Sequence, residues 1–270
     1  MRILFIGAGN MASALIGGLI KRGVAAHALG AIDPNAETLQ RLGEQFAIRT
    51  FAAPGAFLQE FDAIVLAVKP QVLKEVALAL APFVSTQVVI SIAAGIRSAD
   101  IARWLGGYRR VVRAMPNTPA LIGMGVSGLA ALDEVDEAGR ALAGEVLAAV
   151  GSVVWCAAEA DIDTVTAISG SGPAYVFYFI EALQQAAQEL GLDEQQARAL
   201  AVSTFTGAAQ LVAQSDEAIA TLRERVTSKG GTTAAALASF QADQLGAAIV
   251  RGARAAQQRA AAMGEEFGRA

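Results

Sequence analysis

The chain of 270 residues contains one cysteine and one histidine. A disulfide within the chain is therefore impossible, and a closed Cys/His zinc site is nearly so. A nucleophile–base pair would need Cys156 and His27 to meet, and nothing in the sequence arranges that. Runs of one charge sign are also missing. The 21 Lys and Arg stand against 25 Asp and Glu, a net charge of −4, and no basic stripe points to nucleic acid. Charged residues are scarce at 17% and hydrophobic ones reach 54%, a balance that excludes a disordered chain.

Two uncharged stretches look like membrane signals. Residues 3–20 follow Arg2 in the manner of a leader peptide, but break at Gly7, Gly9 and Asn10 after a short β-type run. Residues 76–96 are long enough to span a bilayer. They contain Pro82 and the polar trio Ser85, Thr86 and Gln87, then restart as a β-branched run, which reads as helix, loop, strand. A soluble cytoplasmic protein without membrane partners is the expectation. Cys156, Trp104 and Trp155 are expected to pack, and His27 to lie at the surface.

Short apolar runs at 2–6, 28–32, 63–68, 87–93, 110–114, 124–130 and 151–156 alternate with helical patterns at 11–22, 36–46, 71–81, 98–105 and 134–149. Strands apolar throughout and separated by helices predict a mostly parallel sheet covered on both faces, with the last strands free to pair differently. After residue 160 the β signal stops. Helices are expected over 173–190, 193–214, 216–226 and 232–264, with Gly191-Leu192-Asp193 as a stop followed by an N-cap. The fold class is α/β: a sheet domain over 1–159, then an all-helical domain over 160–270.

The segment Gly7-Ala8-Gly9-Asn10-Met11-Ala12 follows the first strand and opens a helix. Glycine at 7 and 9 permits a tight turn and the approach of a pyrophosphate, while the helix N-terminus offers free N–H groups. Ala12 replaces a third glycine. Asp33 ends the second strand 24 residues after Gly9. It can accept from the ribose hydroxyls of NAD and repel the 2′-phosphate of NADP, or Asp33-Pro34-Asn35 can simply cap the next helix. Further strand ends on the expected ligand side are Ala67-Val68-Lys69-Pro70, Ala93-Ala94-Gly95 and Met115-Pro116-Asn117-Thr118-Pro119. Lys69 reads either as a solvated lysine or as a ligand contact.

In the helical half, Ser169-Gly170-Ser171-Gly172-Pro173 is an orderly helix start or a backbone wall of a site. Thr227-Ser228-Lys229-Gly230-Gly231-Thr232-Thr233 joins two helices. Converging N–H groups and several hydroxyls suit a carboxylate or phosphate, although Ser and Thr also cap ordinary helices.

Taken in this order, these motifs together with Leu66-Ala67-Val68-Lys69-Pro70-Gln71 and Arg113-Ala114-Met115-Pro116-Asn117-Thr118-Pro119 resemble the pyrroline-5-carboxylate reductase family along essentially the whole chain. The resemblance implies a Rossmann-type first domain and reduction of the cyclic imine pyrroline-5-carboxylate to L-proline by NAD(P)H, the last step of proline biosynthesis. It implies a helical domain for dimerisation and substrate binding, in dimers that often assemble into decamers. By position, Thr233 is the catalytic hydroxyl near the imine nitrogen. Ser228, Gly231, Thr232 and Thr233 hold the substrate, and Glu159 and Asp216 line or border its site. Gly7–Ala12, Asp33, Ala67–Pro70, Ala93–Gly95 and Asn117 lie along the cofactor. No metal is implied. Relatives often carry Ser, Asn or Arg in place of Asp33, so here the choice leans towards NADH.

The chemistry suits a chain with one histidine. A protonated imine is already electrophilic and needs a carboxylate anchor, a partner for nitrogen and a dry cofactor face rather than a strong base. A 3-hydroxyacid dehydrogenase must remove a proton from oxygen, and its relatives use a lysine one turn into the interdomain helix. Ala174–Phe179 holds none. A non-catalytic nicotinamide sensor is the other alternative, but it would have no use for the 227–233 hydroxyls.

Overall fold

The computed structural model describes residues 1–269. The first part alternates β1 (Ile3–Ile6), α1 (Asn10–Lys21), β2 (Leu29–Ile32), α2 (Ala36–Phe46), β3 (Arg49–Phe51), β4 (Ala63–Leu66), α3 (Pro70–Leu80), β5 (Val88–Ser91), α4 (Ser98–Trp104), β6 (Val111–Met115), β7 (Gly125–Ala131), α5 (Glu137–Ala148) and β8 (Gly151–Trp155). A short α6 (Asp161–Val165) runs into a π-helical turn at Thr166–Gly170. Then follow α7 (Gly172–Glu189), α8 (Glu194–Ala213), α9 (Ile219–Arg225), α10 (Thr232–Ala242) and α11 (Leu245–Arg269).

One eight-stranded sheet has the order β3-β2-β1-β4-β5-β6-β7-β8. Every neighbouring pair is parallel except β6–β7. The short connection between those two strands permits the antiparallel pairing; the parallel pairs have longer connections. Ile3, Leu4, Phe5, Ile64, Val65 and Leu66 have no exposed surface. Side chains buried this fully contribute about 1.5–3 kcal/mol each, which fixes β1 and β4 at the centre. The strand order reverses between β1 and β4, where such sheets open a ligand crevice at the carboxyl ends.

Helix ends follow local chemistry. Asn35 caps α2 by accepting from Thr38 N–H, and Asp136 caps α5 by accepting from Gly139 N–H. Asp193 and Gln196 form a reciprocal capping box at α8, after Gly191 (φ +103°) has stopped α7. The expected 76–96 helix, loop and strand are present, and residues 3–20 are β1, the glycine turn and α1. Among the described residues no helix is long and apolar enough to cross a membrane.

Three elements differ from expectation. Edge strand β3 was not anticipated because Arg49-Thr50-Phe51 is too short to show a period. α6 and its π turn lie where no element was assigned. The stretch 232–264 is two helices, broken at Asp243 and Gln244, the latter with φ +53°. Asp243-Gln244 itself holds neither glycine nor proline, and Gly246 just beyond it is a weak signal in an Ala-rich stretch.

The chain packs as two compact units, Met1–Ser171 with the described residues from Ala255 onward, and Gly172–Arg254. This division lies twelve residues past the change of composition at 159/160. In the second unit α7, α9 and α10 bury no residue, and α8 buries only Ala197 and Ala201.

Docking of α1 on the sheet unit depends on Gly18. A Cβ there would collide with the backbone carbonyl of Ala149 and press on Val150. Helix propensity favours alanine over glycine by about 1 kcal/mol. A collision with backbone cannot be relieved by a rotamer, so it prevails. Gly18→Ala is expected to lower stability by about 1–3 kcal/mol in denaturant unfolding, against the propensity trend.

Candidate active site

The β1–α1 turn is built for close approach. Gly7 has φ +99°, and a Cβ there would lie 2.6 Å from the Ala67 carbonyl oxygen at the end of β4. Its N–H donates to Ile32 O at 2.7 Å. Gly9 is exposed and has open space where a Cβ would project. It forms the N-cap of α1, with no side-chain cap and no acidic residue in the first turn. The first N–H groups of this helix thus face the crevice without a side-chain acceptor, under the positive end of the helix dipole. Ala12 is buried and packs into the core below the turn.

Asp33 lies beside this turn, half-buried. Its Oδ2 accepts from Ala8 N–H and its Oδ1 from Asn35 N–H, both at 2.9 Å. The cap of α2 is Asn35, so Asp33 is not the capping residue. It braces the glycine turn and places a carboxylate at the end of β2. A carboxylate has about four lone-pair sites, so it can still accept from a ligand hydroxyl.

Across the crevice, Lys69 is the exposed N-cap residue of α3; its carbonyl accepts from Val72 N–H, and its side chain has no hydrogen-bond or ion-pair partner among the described residues. Pro70 opens that helix at the position where its missing N–H costs nothing. Ala93 is buried, and Gly95 is left-handed (φ +74°) with Met263 and Phe267 against it. Asn117 is buried: its Nδ2 donates to Ser169 O at 3.1 Å, and its Oδ1 accepts from Val126 N–H at 2.9 Å. Its amide therefore ties the end of β6 to β7 and to the π turn.

Glu159, expected along the substrate, has one carboxylate oxygen occupied. Its Oε1 accepts from Ser98 N–H at 2.6 Å and lies 3.5 Å from Arg113 Nη1. Arg113 also meets Asp163 at 3.1 Å. Neither Arg113 nor Asp163 was anticipated. A charged residue inside an apolar strand pattern was the available signal, since Arg113 interrupts Val111-Val112 and Ala114. Cys156 is partly buried, and burial, with Asp161 nearby, raises its thiol above the usual range. It is protonated at neutral pH and a poor nucleophile.

In the second unit the loop before α10 repeats the logic of the first turn. Gly230 has φ +74°, Gly231 N–H donates to Ser228 O, and a Cβ on Gly231 would strike the Ser228 hydroxyl. Gly231 is the N-cap of α10, again with no side-chain cap and no acidic residue in the first turn. Thr232 and Thr233 thus open a helix with free N–H groups beside hydroxyls, an arrangement that suits an anion. Thr227 is turned away, donating to Arg223 O. Asp216 is exposed on the segment before α9.

A doubly wound sheet with an uncapped glycine turn at its switch point defines a dinucleotide-binding oxidoreductase fold. A family model described as NADP oxidoreductase coenzyme F420-dependent matches residues 2–95, and one described as pyrroline-5-carboxylate reductase dimerisation matches 159–263. The pyrroline-5-carboxylate reductase of Pseudomonas aeruginosa is 47% identical over 268 residues, 99% of this chain and 98% of that protein. A pyrroline-5-carboxylate reductase structure from Coxiella burnetii superposes with TM-score 0.92 at 37% identity, covering 97% of this chain and 98% of that one. A Plasmodium falciparum pyrroline carboxylate reductase with NADP bound gives 0.86 at 28% identity, covering 98% of both chains. The chain belongs to the pyrroline-5-carboxylate reductase family.

Gly7→Ala places a methyl group against the Ala67 carbonyl in a backbone conformation that alanine rarely adopts. Displacing the turn also displaces the free N–H groups of α1. Titration of reduced nicotinamide by fluorescence is expected to show affinity reduced by about tenfold or more, with the helical unit unaffected.

Proposed function

We propose that this protein is a pyrroline-5-carboxylate reductase, reducing the cyclic imine to L-proline with NAD(P)H. The observation that carries the reading is the uncapped N-terminus of α10, flanked by the hydroxyls of Ser228, Thr232 and Thr233. It is a receptor for a small carboxylate in a chain that also carries a dinucleotide turn. Reduced nicotinamide, when bound, supplies a hydride to the imine carbon. The uncapped start of α1 holds the pyrophosphate, and Lys69, lacking an internal partner, is free to face a phosphate or ribose. Ala93–Gly95 presents only small side chains, which lets a planar ring approach. The N–H groups of Thr232 and Thr233, with Ser228, fix the substrate carboxylate. The Thr233 hydroxyl accepts from the protonated imine nitrogen and donates to the amine after hydride arrives. A protonated imine becomes a neutral amine by gaining hydride, so no residue need remove a proton in that step.

The proposal includes a homodimer in the cytoplasm. Phe177, Tyr178, Leu211 and Ile219 are exposed on helices with almost no core of their own, and Leu190 and Val226 are exposed just past helix ends. Exposed apolar side chains in this number, on elements with so little core, support coverage by a second copy. Assembly beyond the dimer, into a decamer, is part of the same reading.

Asp33 supports NADH as the preferred donor. Its carboxylate is held by two backbone N–H groups, which keep the charge in place beside the ribose position. A 2′-phosphate would meet that charge at short range.

Loss of nicotinamide absorbance with pyrroline-5-carboxylate, measured in parallel with NADH and NADPH, tests the reaction. Turnover is expected with both, faster with NADH; no turnover on protein shown to bind cofactor would remove the assignment. Thr233→Ala is expected to lower kcat/KM by about tenfold or more with cofactor affinity near wild type. Asp33→Asn, which keeps an acceptor for one N–H but loses the charge, is expected to move the NADPH-to-NADH ratio of kcat/KM upward by about tenfold. An unchanged ratio would reduce Asp33 to a brace for the turn.

A further inference from the structure

Buried charges behind the 92–97 loop carry an inference that rests on the reductase reading. Arg113 is 2% exposed, and Asp163 is 5% exposed. The Arg113 guanidinium is 3.1 Å from Asp163 Oδ1 and 3.5 Å from Glu159 Oε1. That same Glu159 oxygen accepts Ser98 N–H at 2.6 Å, and the other oxygen of Asp163 lies 3.6 Å from Arg97. Two cations and two anions thus join the middle of β6, the start of α4 and the 159–163 segment. Arg97 and Ser98 close the loop that presents Ala93, Ala94 and Gly95. This loop has no polar side chain between Ile92 and Arg97 with which to anchor itself. Ala93, Gly95 and Ile96 are held by apolar packing, and polar anchoring comes from the ends of the loop.

Burying a guanidinium is costly, and an apolar set of similar volume would often pack as well. The set is therefore better explained by the geometry it imposes than by stability. We propose that Arg113, Glu159 and Asp163 are positioning residues for hydride transfer, locking the 92–97 loop to the middle of β6. Glu159 acts through Ser98 and Arg113 and does not touch the substrate. Hydride transfer is steep in distance and angle, so a small shift of the wall beside the nicotinamide reduces kcat more than it reduces binding.

The test uses the full-length enzyme with Glu159→Ala, Glu159→Gln, Asp163→Asn and Arg113→Lys. Glu159→Ala is expected to lower kcat by about tenfold or more, with KM for pyrroline-5-carboxylate changed by less than about threefold. The primary isotope effect with nicotinamide-deuterated NADH should rise, as chemistry becomes rate-limiting. Amide exchange at Ser98 and across 93–97 should accelerate. Glu159→Gln keeps an acceptor for Ser98 N–H and should recover most of kcat and of the protection. Asp163→Asn and Arg113→Lys should follow Glu159→Ala in direction. If those two variants fail to fold, the Glu159 pair decides, because Glu159 is only partly buried. A rise in KM of about tenfold or more at unchanged kcat would make Glu159 a substrate contact and overturn the proposal. So would unchanged exchange over 93–98 in Glu159→Ala. The exchange readout needs no substrate: a wild type inactive on the imine would remove the reductase reading, while the lock would still stand or fall on the exchange result.

Discussion

The constraint on which the sheet unit depends is the contact between the β1–α1 turn and the end of β4. With Gly7 in a left-handed conformation and the Ala67 carbonyl 2.6 Å from where a Cβ would be, the two strand ends meet with no side chain between them. Gly18 repeats the device farther along α1, where the helix touches the Ala149 backbone. Together they set both the depth and the direction of α1. That direction makes the helix N-terminus useful, because N–H groups left without an acceptor are an asset only where an anion can reach them. Gly9, exposed with nothing near its missing Cβ, keeps the approach open.

Electrostatics divide into bare and satisfied sets. The starts of α1 and α10 are bare, with neither a cap nor an acid in the first turn. The starts of α2, α5 and α8 are each closed by Asn or Asp. α8 even has the reciprocal box. α3 and α9 also start without a side-chain cap or an acid, so what sets α1 and α10 apart is that each opens from a glycine turn. Elsewhere buried charge is neutralised internally, as Arg113 is by Asp163 and Glu159. Such a protein handles anions by backbone and dipole, which agrees with a reaction whose substrate and cofactor both bring negative charge and whose chemistry needs no histidine.

What was legible in the sequence had a local cause. Strands β1, β2, β4 and β5 show as unbroken apolar runs because both faces of the sheet are covered. The glycine turn shows because only glycine tolerates φ +99° at that spot. Asp33 was legible as a position but not as a brace. Its bond to Ala8 spans 25 residues and depends on the register of β1 against β2. Arg113 stood out as a charge in an apolar strand, but its pairing with Asp163, 50 residues away, was illegible for the same reason. Gln244 shows the opposite failure: the break is local, but its cause is not a residue with a conformational preference.

The helical unit raises a question of energy that its own residues answer. A folded segment must offset roughly 1–2 kcal/mol of backbone entropy per residue. The sheet unit does so with strands whose side chains are wholly buried. In Gly172–Arg254, α7, α9 and α10 bury nothing, while Phe177, Tyr178, Leu211 and Phe240 lie exposed. Caps and helix propensity contribute too little to close that gap. The missing apolar burial must come from another surface, and the match of residues 159–263 to a dimerisation family supplies its kind: a second copy of the chain. The proposed carboxylate site at α10 belongs to this same unit. Its order, and hence substrate binding, is then tied to assembly, so dilution that dissociates the oligomer should weaken the site before it unfolds the sheet.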